Sequence, residues 1–372
     1  MSEEDKKILT ILVDTSSVVH RNFHGYPSKP GYVDGEEINV NTLYGYIKYI
    51  TRIHRDFNYD NLIHVLDPEG GSDYRKSIYP EYKGQRPPTD PELVKQKQLL
   101  TTVLDAFSQK WVMIDGVESD DVLASYAKKL SREGHSVLIL TPDKDLLQIV
   151  EDGAISIAKY VKSKTGNDKV HDCYTELGVY NKFGVHPYQV ADFLALIGDV
   201  SDNIIGVHGV GEKKAAQLLS QYGDIETIIT HANEIKGVLG KNVRDAVSIL
   251  PLSKKLTLAL KDITVPEIND IKVVRDKALN NKVRKWIGAE PYWTDDLTDN
   301  PNTTIEKEEN SYLYQKSQDY NDTKNESEII DELFEDPFAV SVTVESEVIL
   351  EEPIQPVIKR QRPKRVSLRN NN

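Results

Sequence analysis

Three apolar runs in this chain end on carboxylates: "ILTILVD" stops at Asp14, "NLIHVLD" at Asp67, and "SVLILTPDKD" carries Asp143 and Asp145. Each is rich in leucine and β-branched residues without polar alternation, the pattern of a strand covered on both faces. Helix-like segments such as "VLASYAKKLSREG" separate them. The alternation predicts an α/β fold with a parallel sheet flanked by helices. In such sheets ligands gather beyond the carboxyl ends of the strands, which is where these four acids fall.

More acids join them. In "GVESDDVLASYA" Glu118 and Asp121 are three apart and share a helix face, while Asp120 points about 100° away. "LALIGDVSDNIIG" repeats the device with Asp199 and Asp202. Any one cluster could be a solvated helix start, since acids favour the first turn. Carboxylates this close repel one another unless a cation, a dipole or solvent relieves them; nine collected at strand ends and helix starts are harder to dismiss, and hard oxygen ligands of that kind select Mg²⁺ or Mn²⁺. Zinc lacks its Cys/His spacing here.

With 372 residues, 39% hydrophobic and 28% charged, the chain suits one or two soluble domains. No run of about 18 apolar residues is present to span a bilayer. The start "MSEEDKKILTILVD" reads as a strand rather than a signal peptide, and the lone Cys173 suits a reducing, cytoplasmic setting. The net charge of −13 argues at first against nucleic acid. Residues 301–358 hold 15 acidic and 3 basic side chains and 359–369 six basic ones, which leaves −7 on the first 300 residues. If the nine carboxylates hold metals, the rest of that part is near balance at +2, and charge permits a polyanionic partner.

From about residue 185 the pattern turns helical, through "HPYQVADFLALIGD", "GEKKAAQLLSQYG" and "GKNVRDAVSILPLSKKLTLAL". Residues 296–372 are polar and acidic and read as a disordered tail with a basic end.

Six blocks carry a family resemblance, among them "VDTSSVVHRNFHGYP", "YRKSIYPEYKGQRPPTDPE", "GVESDDVLASYAKKLSREGHSVLILTPDKDLLQIV" and "FLALIGDVSDNIIGVHGVGEKKAAQLLSQYGDIETI". Over about the first 290 residues the chain resembles the 5′ nucleases: phage and bacterial 5′–3′ exonucleases, the nuclease domain of family A DNA polymerases, and flap endonucleases. The resemblance implies a PIN-like catalytic domain over 1–184 with a helical arch near 75–97. It implies a helix-three-turn-helix (helix-hairpin-helix) DNA-binding domain over 185–290. It also implies two metal sites formed directly or through waters by Asp14, Asp67, Glu118, Asp120, Asp121, Asp143, Asp145, Asp199 and Asp202. Two dications about 4 Å apart suit phosphodiester hydrolysis, since together they activate a water and stabilise the leaving oxygen. Thr15 departs from the family, where many relatives have glycine, and so does the middle of "DPEGGSDYR". With no polymerase domain following, a free-standing nuclease is expected, as in phages.

Between 75 and 97, Arg75, Lys76, Lys83, Arg86, Lys95 and Lys97 interleave with Tyr79 and Tyr82, a mixture suited to neutralising phosphates and stacking unpaired bases. The family casts Tyr82 as stacking on a base near the cleavage site, and Lys83 and Arg86 as polarising the scissile phosphate. In "GVHGVGEKKAAQLL", Gly206, Gly209 and Gly211 do not space as a dinucleotide loop. They fit a hairpin whose backbone N–H groups approach one phosphate, with Lys213 and Lys214 adding charge. The family's hairpin can also hold K⁺.

In the tail, "DELFEDPF" (331–338) reads as a docking motif for a replication partner or as plain disorder. "KRQRPKR" (359–365) reads as a nucleic-acid contact, a nuclear address or a solubilising end. The expectation is a monomeric Mg²⁺-dependent 5′–3′ exonuclease and flap endonuclease acting on branched, nicked or RNA-primed DNA. A decayed junction binder would have lost a carboxylate, and none is missing. A single-stranded ribonuclease of the wider PIN group would lack the hairpin.

Overall fold

The computed structural model describes residues 7–162 and 169–288. The expected tail, 296–372, and both of its motifs lie outside the described residues.

β1 (Leu9–Asp14) sits mid-sheet, paired in parallel with β4 (Asn61–Leu66) and β6 (Ser136–Leu140), so that Leu12 lies opposite Ile63 on one side and Ile139 on the other. β5 (Lys110–Met113) and β7 (Ile155–Lys162) extend the sheet in parallel, and β8 (Lys169–Tyr174) closes one edge antiparallel, giving the order β5-β4-β1-β6-β7-β8. The sheet is therefore mixed at that edge rather than wholly parallel.

Successive β1 side chains enter two cores, which is why the strand reads as a continuous apolar run. Ile11 and Val13 pack with α1 (Thr15–Gly25), α2 (Asn41–Asp56) and α4 (Pro91–Ala106). Leu12 packs with α5 (Ser119–Arg132) and onward into the helices that follow residue 185. A hairpin of β2 (Pro30–Val33) and β3 (Glu36–Asn39) turns through Asp34 and Gly35, both at positive φ. The short α3 (Asp73–Ile78) follows β4, and α6 (Glu176–Phe183) ends at Gly184 in the left-handed conformation.

The C-terminal helices are α7 (Val190–Ile197), α8 (Glu212–Tyr222), α9 (Ile225–Thr230), α10 (Gly237–Ala246), α11 (Leu250–Thr257) and α12 (Lys277–Ile287). Their apolar residues merge with those of α5 and the sheet into one continuous core. α12 crosses back, burying Val283, Trp286 and Ile287 in the other core and anchoring Asn280 to the Ala106 carbonyl at 2.8 Å. Both sequence-assigned domains thus share packing on the sheet. No described helix is long and apolar enough to cross a membrane.

Candidate active site

At the carboxyl edge of the sheet, five of the expected acids stand together. Asp14 closes β1 and caps α1. Its Oδ1 accepts the Ser17 N–H at 3.1 Å, and its Oδ2 accepts the Thr141 hydroxyl at 2.7 Å. It is 1% exposed, and burial pushes its carboxyl up to about 6 despite those hydrogen bonds. Asp67, just past β4, accepts the Ser119 N–H at 2.6 Å and donates its own N–H to Ser16 Oγ at 3.2 Å, tying β4 to α5 and α1. Thr141 Oγ1 accepts the Asp143 N–H at 2.9 Å, and Asp143 Oδ1 accepts the Asp145 N–H at 2.8 Å.

Desolvation, with the charge of Asp143, Asp14 and Asp67, drives Asp120 well above the carboxylate range. Desolvation and Asp143 do the same to Asp145, and burial raises Asp143. Asp145 Oδ1 is buried without a hydrogen-bond partner. Among the described residues none of these five acids forms an ion pair.

The other acids are neutralised from within. Arg75 donates from Nη1 to Glu118 Oε2 (2.7 Å) and Asp121 Oδ2 (2.6 Å), from Nη2 to Asp121 Oδ1 (3.0 Å) and the Leu258 carbonyl (3.1 Å), and from Nε to the Leu256 carbonyl (2.9 Å). Asp121 Oδ1 also accepts the Leu260 N–H at 2.8 Å. Burial opposes the Arg75 charge, but Asp121 and Glu118 outweigh it and raise its pKa. The Lys83 ammonium donates to Glu118 Oε1 and lies 3.8 Å from Asp202 Oδ2. Arg86 pairs with Asp202 Oδ1 and donates to the Ser201 carbonyl at 3.1 Å. Burial pushes Asp202 up, yet Lys83 and Arg86 prevail and hold it below the usual range. Asp199 Oδ1 accepts the N–H groups of Ser201 and Asp202 at 2.8 and 3.2 Å.

The expected arch, 75–97, comprises the end of α3, a turn over 79–86, an extended stretch and the first half of α4. Its tip is pinned to the loop carrying Asp199 and Asp202. Lys83 donates its N–H to the Asp202 carbonyl at 3.0 Å, and Asn203 donates from Nδ2 to the Glu81 carbonyl at 2.9 Å. Lys83 takes φ +55, uncommon for a residue with a Cβ, and so aims its side chain at Glu118. Lys76 and Lys95 are exposed and Tyr79 is half-buried. Arg75, expected to face a bound strand, is instead 6% exposed because two carboxylates and two carbonyls enclose it. Tyr82 packs on Ile204 and Leu256, and its hydroxyl donates to Asp202 Oδ2 at 2.9 Å. Its ring therefore faces the interior rather than an incoming base.

After α7 the chain makes the expected hairpin. Gly198 and Gly206 lie back to back, so a Cβ on Gly206 would stand 2.4 Å from the Gly198 nitrogen. Gly209 takes φ +70, and Gly211 caps α8 with Lys213 and Lys214 exposed on its first turn. Lys214 Nζ donates to the Gly209 carbonyl at 2.7 Å, and Asn242 Nδ2 to the His208 carbonyl at 2.7 Å, which fixes the turn from both sides.

Residues 9–184 match the model of the 5′-3′ exonuclease N-terminal resolvase-like domain, and residues 185–278 that of the 5′-3′ exonuclease C-terminal SAM fold. The chain belongs to the 5′-3′ exonuclease family. It is 31% identical over 265 residues to the 5′-3′ exonuclease of Aquifex aeolicus, spanning 71% of this chain and 86% of that one. It is 32% identical over 253 residues to DNA polymerase I of Caldicellulosiruptor bescii, spanning 68% of this chain but 29% of the relative. The chain thus covers under a third of the polymerases it matches. The fold is shared with the T5 D15 protein co-crystallised with metal ions (TM-score 0.55, 20% identity, 78% of this chain and 97% of that chain). It is also shared with human GEN1 bound to Holliday junction DNA (TM-score 0.52, 17% identity, 85% and 75%).

Within this family fold the five unpaired acids fit a hard divalent cation: all donors are oxygen, and the orphaned Asp145 Oδ1 lacks only a positive partner. Among the described residues, no three His, Cys, Asp or Glu side chains already stand in a metal-holding arrangement. Residues that support the acids were missed from sequence. Thr141, two positions before Asp143, carried a readable signal, the side-chain-to-backbone turn that threonine favours. Thr15 carried none. Its hydroxyl meets Tyr46 OH at 2.9 Å, which meets His64 Nδ1 at 2.7 Å, a buried chain ending 3.3 Å away at Gln109 Oε1.

Proposed function

We propose that the chain is a divalent-metal-dependent phosphodiesterase, a 5′–3′ exonuclease and flap endonuclease acting near the 5′ end of branched, nicked or RNA-primed duplex DNA in replication and repair. The carrying observation is the group of five acids, Asp14 buried and the other four partly buried, none of them in an ion pair among the described residues, set beside an arch tip whose Lys83 and Arg86 already rest on carboxylates. Asp14, Asp67, Asp120, Asp143 and Asp145 would hold Mg²⁺, or Mn²⁺ in its place, directly or through waters, with Glu118, Asp121, Asp199 and Asp202 around them. The T5 relatives were crystallised with metal ions, and one with DNA as well, which supports this reading. When bound, such ions supply an activated water and stabilise the leaving oxygen.

The protein's own groups do the rest. Lys83 and Arg86 exchange their carboxylates for the scissile phosphate, a charge-assisted contact favoured as negative charge grows there. Arg75 holds Glu118 and Asp121 in place, and Tyr82 holds Asp202. Gly206, Gly209 and Gly211 present backbone N–H groups to a duplex phosphate, helped by Lys213 and Lys214, without reading sequence. Lys76 and Tyr79 line the approach. K⁺ at the 206–211 turn, a monomeric state, a cytoplasmic setting and a replication protein docked on 331–338 complete the reading.

The test is to incubate a 5′-labelled flap, a nicked duplex and an RNA-primed duplex with Mg²⁺ or with chelator and to size the products. Short 5′ products released only with Mg²⁺ are expected, and cleavage in chelator overturns the assignment. Lys83→Ala should depress turnover far more than duplex binding. Deleting residues 300–372 should leave cleavage of naked DNA intact.

A further inference from the structure

A second cationic cluster lies where α1 meets α2. Arg21 and Asn22 of α1, Lys48 and Arg52 of α2, Tyr26 and Tyr160 enclose a crevice of about 20 Å³. Lys48 and Arg52 are four apart and share a face. The Arg21 guanidinium stacks over Tyr49 at 5.4 Å and that of Arg52 over Tyr160 at 5.4 Å. Stacking of this kind keeps the N–H edge of a guanidinium open to an anion. Among the described residues neither arginine forms an ion pair, and the nearby Asp56 pairs with Arg55. At the crevice floor Asn22 is 4% exposed, and its Nδ2 has no hydrogen-bond partner. A buried amide left so is destabilising until an acceptor meets it. The space exists because residue 45 is glycine: a Cβ there would stand 2.8 Å from the Tyr26 ring and 3.1 Å from Asn22 Cγ.

We propose that this crevice holds one backbone phosphate of the unpaired strand. A volume of this size admits about one water-sized group, which suits a phosphate oxygen donated to by Asn22 Nδ2 and excludes a base. Three cations around one oxygen-sized opening suit a phosphodiester far better than a neutral guest. Asn22 lies eight residues along the helix that begins at Asp14, roughly 12 Å away, so the same strand reaches both places within a few nucleotides. The source of that strand rests on the nuclease reading, whereas the phosphate chemistry does not.

The test uses the full chain in chelator, with fluorescence anisotropy of a labelled oligothymidylate and of a duplex. For the Lys48→Gln/Arg52→Gln double variant, oligothymidylate affinity should fall about tenfold, and the slope of log affinity on log salt should become shallower by about 0.7 per cation removed. Duplex affinity should change less than about twofold. Gly45→Ala, which narrows the crevice and keeps every charge, should weaken the oligonucleotide without changing the slope, with a thermal melt reporting that it folds. Unchanged oligonucleotide affinity in the double variant, or an equal loss on duplex, overturns the proposal. So does inorganic phosphate alone displacing the oligonucleotide at low millimolar concentration, which marks a small-anion site. If the oligonucleotide loss appears while the wild type cuts no flap with Mg²⁺, the crevice stands and the nuclease reading falls.

Discussion

Two halves of one acid cluster behave oppositely. Glu118, Asp121 and Asp202 are met by Arg75, Lys83 and Arg86, and Asp202 is held in its charged form. Asp14, Asp120, Asp143 and Asp145 have no such partners and are pushed toward protonation. The difference separates acids that the chain neutralises itself from acids that need a cation from outside. A buried ion pair and a buried lone charge also respond in opposite directions when one carboxylate is removed.

Substituting in the unpartnered half gives the largest effect and the sharpest contrast. Asp145→Asn or Asp120→Asn should cut Mg²⁺-dependent turnover by about a thousandfold, roughly 4 kcal/mol, while the melting temperature in chelator stays level or rises. A marked fall in melting temperature for both would erase the distinction. In the partnered half, Asp121→Asn should lower urea stability by about 3 kcal/mol or more, because Arg75 is left buried and underpaired. A neutral result there would mean that Arg75 finds other acceptors. Saturating Mg²⁺ should then stabilise the wild type by about 2.7 kcal/mol at a hundredfold excess over Kd, and calorimetry should show little of that shift in Asp145→Asn.

The smallest effect lies behind the site. Burial lowers His64 from 6.5 to about 3, so the folded state favours the neutral ring. Its contribution is complete above pH 6.5 and is lost as pH falls toward 3, at about 1.4 kcal/mol per unit. Urea midpoints measured between pH 7 and 5.5 should therefore fall more steeply for wild type than for His64→Gln, and parallel curves would place the acid sensitivity elsewhere.

Sequence disclosed the parts of this molecule that obey local rules. β1, β4 and β6 were legible because strands buried on both faces leave unbroken apolar runs, and the acids at their ends followed from parallel topology. β8, "KVHDCY", was not legible, since an edge strand carries polar residues that read as loop. Arg75 and Lys76 look alike in "DYRKSI", yet one is buried and the other exposed, because the carbonyls of Leu256 and Leu258, about 180 residues away, claim Arg75 alone. Tyr82 is hidden by the same kind of distant contact, with Ile204 and Leu256. The Thr15 departure acquires a reason only when Tyr46 and His64 arrive beside it. Likewise α12 gives no sign in its sequence that it returns to the core of β1.

The contact between Gly198 and Gly206 has a metric consequence. It staples the two ends of the segment bearing Asp199 and Asp202, and the 206–211 turn begins at the second staple point. On the proposed reading, the grip on a double helix and the place of bond breakage would be joined by a stretch of main chain with almost no slack. Such a protein would carry its own yardstick, with the distance from junction to cut counted off along the backbone, whatever the bases.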